Sequence, residues 1–101
     1  MADRSWQLKQ ADTLLGTLTL DEIDQPWFRC HFTGTPAWDD VRPILEEWTQ
    51  SIEAEEPDPP RVEQAMRAVD GLRLSLVPTE GGESLVDFLI HVRGGQASFR
   101  Y

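Results

Sequence analysis

The last fourteen residues, FLIHVRGGQASFRY, constrain the fold more tightly than any other stretch of the chain. Two alternating runs flank Gly94 and Gly95, and a glycine pair suits a two-residue hairpin loop that needs positive φ angles. Such a loop fixes the register: Val92 opposite Ala97, Ile90 opposite Phe99, and Phe88 opposite Tyr101. Every pair on that face is apolar. Arg93 with Gln96, His91 with Ser98 and Leu89 with Arg100 make the other face. A slip of one residue would exchange the faces, so turn and pattern specify one hairpin and one buried side.

The same period of two runs through the first third of the chain, in Trp6 and Leu8, then Leu14, Leu18 and Leu20, then Phe28, Cys30 and Phe32. It predicts a three-stranded meander, with turns at Ala11 and Asp12 and within DEIDQP, where carboxylates and a proline favour a bend. A tight first turn sets Leu8 opposite Leu14 and Trp6 opposite Gly16, an indole over a glycine. A second turn centred on Asp24 sets Leu20 opposite Phe28 and Leu18 opposite Cys30.

From Thr35 the period becomes helical. Trp38, Val41, Ile44, Leu45, Trp48 and Ile52 form one apolar stripe, with Asp39, Asp40, Glu46, Glu47 and Glu53 off it. Pro43 fits without a kink if the helix proper begins near Asp39 or Asp40; otherwise Thr35 and Pro36 open a helix that bends at 43. EEPDPP ends it. Asp58 caps a second helix with proline at its start, a stripe of Val62, Ala65, Met66 and Val69, and Gly71 as its stop. Strands return with Leu72, Leu74 and Leu76, then with Val86, Phe88, Ile90 and Val92, then with Ala97, Phe99 and Tyr101. The expected fold is a single α+β domain over residues 1–101, a six-stranded antiparallel sheet (β3-α2-β3) with a two-helix layer on one face. The pattern leaves the strand order open.

Charge narrows the classes of partner. The net charge is -9, whereas phosphate binding rests on clustered Lys and Arg, so nucleic acid is not an expected partner. Residues 36–70 hold ten acids against three arginines. One cysteine, Cys30, rules out an internal disulfide and fits a reducing compartment. MADRSWQLKQ has no apolar leader core, and the longest uncharged apolar-rich run, TLLGTLTL, is shorter than the roughly 20 residues of a membrane span. A soluble cytoplasmic protein without a membrane partner is expected.

DQPWFRCHFTG, residues 24–34, crowds a cysteine, a histidine, an arginine and three aromatics together. On a strand, neighbours point to opposite faces, so Cys30 enters the core while His31 points away, and the two do not converge on a metal. The face opposite the helices is then written by Lys9, Thr17, Thr19, Trp27, Arg29, His31, Arg73, Ser75, Asp87, Leu89, His91, Arg93, Ser98 and Arg100. It collects five of the nine bases and both histidines against one acid. Trp27, Arg29, His31, Arg73, Leu89, His91, Arg93 and Arg100 are therefore the candidate binding residues, because aromatics and arginine are enriched at interface centres.

Catalysis finds little to use. His91 and Asp87 are four apart on one strand, roughly 13 Å at ordinary strand rise. Ser75 has no nucleophile elbow, and the histidine spacing lacks the close ligand pairs of a zinc site. DEID lacks the ligand spacing and glycine of a calcium loop, and TEGGES and RGGQ open no helix that would cradle a phosphate. No catalytic residue, metal ligand or cofactor is expected. The expected function is protein association, as a homodimer or with another protein, through the basic and aromatic sheet face. Binding of a small anion or metal on that face, or an inhibitor or immunity role of the acidic chain toward a basic partner, are the alternatives.

PWFRCHF, the helix from Trp38 to Trp48 and the closing FLIHVRGGQASFRY resemble a family of short acidic proteins of unknown function from high-GC bacteria. The resemblance runs over most of the chain. It implies a single domain and transfers no activity.

Overall fold

The computed structural model describes residues 4–101; residues 1–3, part of the stretch read for a leader, lie outside it. The elements are β1 (Ser5–Gln10), β2 (Thr13–Asp24), β3 (Trp27–Gly34), α1 (Trp38–Glu53), α2 (Pro59–Leu72), β4 (Leu74–Pro78), β5 (Leu89–Arg93) and β6 (Gln96–Arg100). They form an α+β fold with one curled, six-stranded antiparallel sheet in the order β4-β1-β2-β3-β6-β5 and two helices. The second group of strands is split. β4 joins the meander beside β1, and the β5–β6 hairpin joins it beside β3.

The inner face is written by even positions from β1 through β5 and by odd positions in β6, as the alternation and the register of the closing hairpin predict. Trp6, Leu8, Leu18, Cys30, Phe32, Leu74, Leu76, Ile90, Val92, Ala97 and Phe99 are all buried on it, and Trp38, Val41 and Leu45 of α1 join the same core cluster. Burial of such side chains, each contributing about 1.5–3 kcal/mol, drives the packing of helix on sheet. The closing hairpin has the expected register throughout: Leu89↔Arg100, Ile90↔Phe99, His91↔Ser98, Val92↔Ala97 and Arg93↔Gln96. Phe88 precedes the ladder and Val86 is exposed, so β5 is shorter than its alternation suggests. Tyr101 stacks on Phe28, 5.6 Å between centroids, outside the ladder.

Two bulges correct the expected meander. Between Leu8↔Gly16 and Lys9↔Leu14 the register shifts, which leaves Leu15 as the extra residue of β2. Trp6 therefore faces Leu18, not Gly16, and Leu15 enters the core in place of the half-buried Leu14. A bulge strands backbone groups, and here Thr35 collects them. Its N–H donates to the Leu15 carbonyl at 2.9 Å and its hydroxyl to the Leu14 carbonyl at 2.6 Å, which pins the entry to α1 on the bulge. The second shift, between Leu20↔Cys30 and Glu22↔Arg29, makes Asp21 extra. DEID is strand, not turn, and the bend falls at Gln25–Pro26, whose peptide bond is cis. Leu18 consequently faces Phe32 and Leu20 faces Cys30, two residues from the expected pairing and with unchanged parity.

Helix α1 begins at Trp38 after a tight turn in which the N–H groups of Trp38, Asp39 and Asp40 donate three residues back. Pro43 thus falls inside the helix, on its exposed side. Asp58 caps α2 through the Arg61 N–H, with prolines at the first two positions. Gly71 does not stop α2, which runs to Leu72 and ends on Arg73 in the left-handed region, φ 53°. Arg61 of α2 binds Glu47 of α1 bidentately, at 2.8 and 2.9 Å, and this hydrogen bonding holds the Glu47 carboxyl below the usual range.

Gly16 and Gly34 lie side by side on β2 and β3, and aromatic rings lie across both. A Cβ on Gly16 would sit 2.4 Å from Cζ of Phe32 and 2.9 Å from the Thr33 carbonyl oxygen, one contact with a packed core ring and one with backbone. Gly16→Ala is expected to destabilise by about 1–3 kcal/mol through overpacking. At about 4–8 °C per kcal/mol for a chain of this size, thermal unfolding should register it readily. A melting temperature equal to the wild type would refute this packing.

Candidate functional site

The outer face of β3, β6 and β5 carries the candidate site, and strand register sets its rows. His91 pairs with Ser98, Ser98 with Arg29, and Arg29 with Glu22, giving one row across four strands. The row on one side reads Arg93, Gln96, His31, Thr19. On the other side, Leu89 pairs with Arg100, and the Arg100 guanidinium lies over the Trp27 ring, 5.9 Å from its centroid. Ser98 is small, and across it the Trp27 indole approaches the His91 imidazole to 4.9 Å between centroids, tilted by 44°.

Helix α1 completes the site from the side. β5 is the last strand of the sheet, an edge that must be covered or blunted. Trp48 does this: it is 5% exposed, and its indole Nε1–H donates to the Ile90 carbonyl at 3.0 Å. The same indole stacks on His91 at 5.9 Å and 21°. His91 therefore has an indole on two sides, Trp27 from β3 and Trp48 from α1. Five residues farther on, Glu53 of α1 forms an ion pair with Arg93 of β5.

Together these residues line a groove of about 420 Å³, floored by Gln96, Ala97 and Ser98 of β6 with Cys30 of β3, and walled by Trp27, His91, Arg29, Arg93, Asp21, Glu22 and Glu53. Of the candidate residues, Trp27, Arg29, His91 and Arg93 converge on it; Arg100 adjoins Trp27, and Leu89, paired with Arg100, stands two residues before His91 on β5. His31 sits next to the groove, its Nε2 3.7 Å from Asp21. It is not a neighbour of His91: β6 separates their strands, and the register aligns His31 with Arg93. Arg73 does not join. It caps α2 at the start of β4, the opposite edge of the sheet, which also separates Ser75 from His91 by the width of the sheet.

The face is not the cationic patch that alternation alone predicts. Arg29 binds Asp24 at 2.8 Å and Glu22 at 3.3 Å, and Arg93 binds Glu53. The acids come from two places that the alternation count missed. Asp21, Glu22 and Asp24 sit in the part of β2 taken for a turn, and Glu53 reaches over from the helix layer. The signals for them were the length of the acidic run before Pro26 and the end of the α1 stripe, neither of which fixes a position across the sheet. Trp48 was legible as a core residue but not as a partner of His91.

Titration follows burial. His91 is half-buried, its Nδ1 has no hydrogen-bond partner among the described residues, and desolvation lowers its pKa from the ordinary 6.5. Cys30 is 3% exposed, and burial, reinforced by the Asp21 charge, pushes its thiol from 9.0 up to about 11. A neutral buried thiol is a poor nucleophile and metal ligand, in keeping with its role as a small core residue. Among the described residues no group of three or more His, Cys, Asp and Glu is placed to hold a metal ion.

Cys30 should resist a disulfide reagent such as dithionitrobenzoate at pH 7–8 in the native protein and react promptly once the chain is unfolded in guanidinium. Because its folded pKa lies above the unfolded one, the associated stability is complete below pH 9 and is lost as pH rises through about 11. Rapid labelling of native protein would place Cys30 at the surface. No protein-family model, no curated protein and no solved structure matches the chain.

Proposed function

We propose that this is a non-enzymatic cytoplasmic protein that works by association, with a second copy of itself or with another protein, through the outer face of β3, β6 and β5. The observation that carries the reading is the arrangement around the groove. Trp27, His91 and the partly exposed Leu89 supply an aromatic and apolar centre, and the ion pairs of Arg29 and Arg93 stand beside it. An apolar centre inside a polar rim is the anatomy of protein interfaces, in which aromatic residues and arginine carry most of the binding energy.

The sheet edges support the same choice. On β5 the Ile90 carbonyl is occupied by Trp48. On β4 the N–H and carbonyl of Leu76 both pair with Leu85, and Pro78 ends the strand without a donor. Strand addition at either edge is thereby blunted, which leaves face-on contact. Among the described residues, no helix is long and apolar enough to cross a membrane.

A small ligand is the second reading, favoured by one observation: about 420 Å³ falls within the roughly 300–1,000 Å³ of small-molecule sites. A simple anion is the weaker form of it, since Arg29 and Arg93 already hold carboxylates of their own chain. Ligand at about 100 times its dissociation constant would stabilise the fold by about 2.7 kcal/mol, so a thermal-shift panel of anions and divalent metals separates this reading from the first.

Light scattering across a concentration series tests association directly. The expected mass exceeds the 11.5 kDa of one chain, either alone or with a captured protein, and Leu89→Asp returns it to the monomer with an unchanged circular dichroism spectrum. Arg29→Glu combined with Arg93→Glu, which reverses the rim, should weaken the same contact. A wild type that stays monomeric and retains no protein that Leu89→Asp loses would overturn the proposal.

A further inference from the structure

We infer that His91 is a proton-sensitive latch between α1 and the edge of the sheet, closed when the imidazole is neutral and opened by acid. The geometry places one titratable ring where helix, edge strand and groove meet. Trp48 of α1 hydrogen-bonds the backbone of the β5 edge, and its indole lies against His91. Trp27 holds the other side of the ring from β3. The Nδ1 atom is buried and finds no hydrogen-bond partner among the described residues. A neutral imidazole tolerates this, because the proton can reside on the other nitrogen. An imidazolium cannot, since both nitrogens then carry hydrogens and one would be a buried donor of a charged group without an acceptor.

The surrounding charges do not rescue the cation. Arg93, two residues along the same strand, is positive, and Glu53 of α1 is engaged with it. Arg29 of β3 lines the same groove with Glu22 and Asp24 bound to it. Arg100 of β6 lies over Trp27. Asp21 of β2, also at the groove, stands by His31. Attraction of the imidazolium to the two indole faces offsets part of the cost, but burial outweighs it and the pKa falls below 6.5. A lowered folded pKa means that the stability held by neutral His91 is complete above about pH 6.5 and is lost as pH falls through the folded value. Protonation draws the ring into the groove toward water, removes the stacking partner of Trp48 and loosens the hold of α1 on β5.

Nuclear magnetic resonance of the full chain reads both halves of this device, because it has two histidines and four tryptophans. Between pH 7.5 and 4.5, the His91 ring should titrate below 6.5, and the Trp48 indole N–H resonance should move with the same midpoint toward the position of a water-exposed indole. His91→Phe, which keeps a ring between the indoles, should abolish that step, and His31→Gln should leave it in place. A His91 midpoint at or above the ordinary value, or a Trp48 resonance that stays fixed while His91 titrates, overturns the inference from the wild type alone. Persistence of the step in a folded His91→Phe protein overturns it equally.

Discussion

The contact between Trp48 and the backbone of Ile90 organises both the architecture and the site. A helix could rest anywhere on an apolar sheet face as far as hydrophobic burial is concerned, since that force has no direction. The indole N–H of Trp48 needs a specific acceptor when buried, and the carbonyl of an edge strand is a group that needs a donor. Satisfying both draws the end of α1 toward β5. One consequence is a blunted edge. The other is that α1 brings Trp48 against His91 and Glu53 against Arg93, so a face written by strands acquires a wall from the helix layer.

The electrostatics of the outer face follow from the same geometry. A chain of net charge -9 would expose its few arginines to a surplus of acids in any compact arrangement, and those on this face are largely paired. These pairs are more than half exposed on the arginine side, where individual ion pairs contribute about 0.2–1 kcal/mol. Their consequence is shape more than stability: Arg29 is held toward the tip of the β2–β3 hairpin and Arg93 toward α1, leaving Trp27 and His91 between them. A partner would meet a local field close to neutral in which donors and acceptors are interspersed, while residues 36–70, the helices with the segment joining them, hold ten of the eighteen acids.

Alternation was a reliable guide wherever a strand was uninterrupted, and the departures have definite causes. Cys30 inside with Arg29 and His31 outside, and every pair of the β5–β6 ladder, were legible because side-chain direction on a strand is set by local geometry alone. Leu14 and Leu15 exchanged roles at a bulge, which is stabilised by Thr35 some twenty residues later and so leaves no local mark. DEID read as a turn because carboxylates beside a proline usually form one, yet the bend waited for the cis Gln25–Pro26 bond and the acids became rungs opposite Trp27 and Arg29. Arg73 looked like the first outward residue of a strand and is the left-handed cap of a helix.

By itself the sequence determined the inward side of each uninterrupted strand, the apolar stripe of α1 from Trp38 to Trp48, the capping of α2 by Asp58 and the register of the closing hairpin, all consequences of period and turn chemistry over a few neighbouring residues; Ile52 and Met66, read into the helical stripes, are exposed. Only the tertiary structure decided the strand order, the company that His91 keeps and the pairing of Arg29 and Arg93 with acids from other elements. These depend on contacts between residues distant in the chain, whose free energies compare whole packings, and no local pattern records which packing wins.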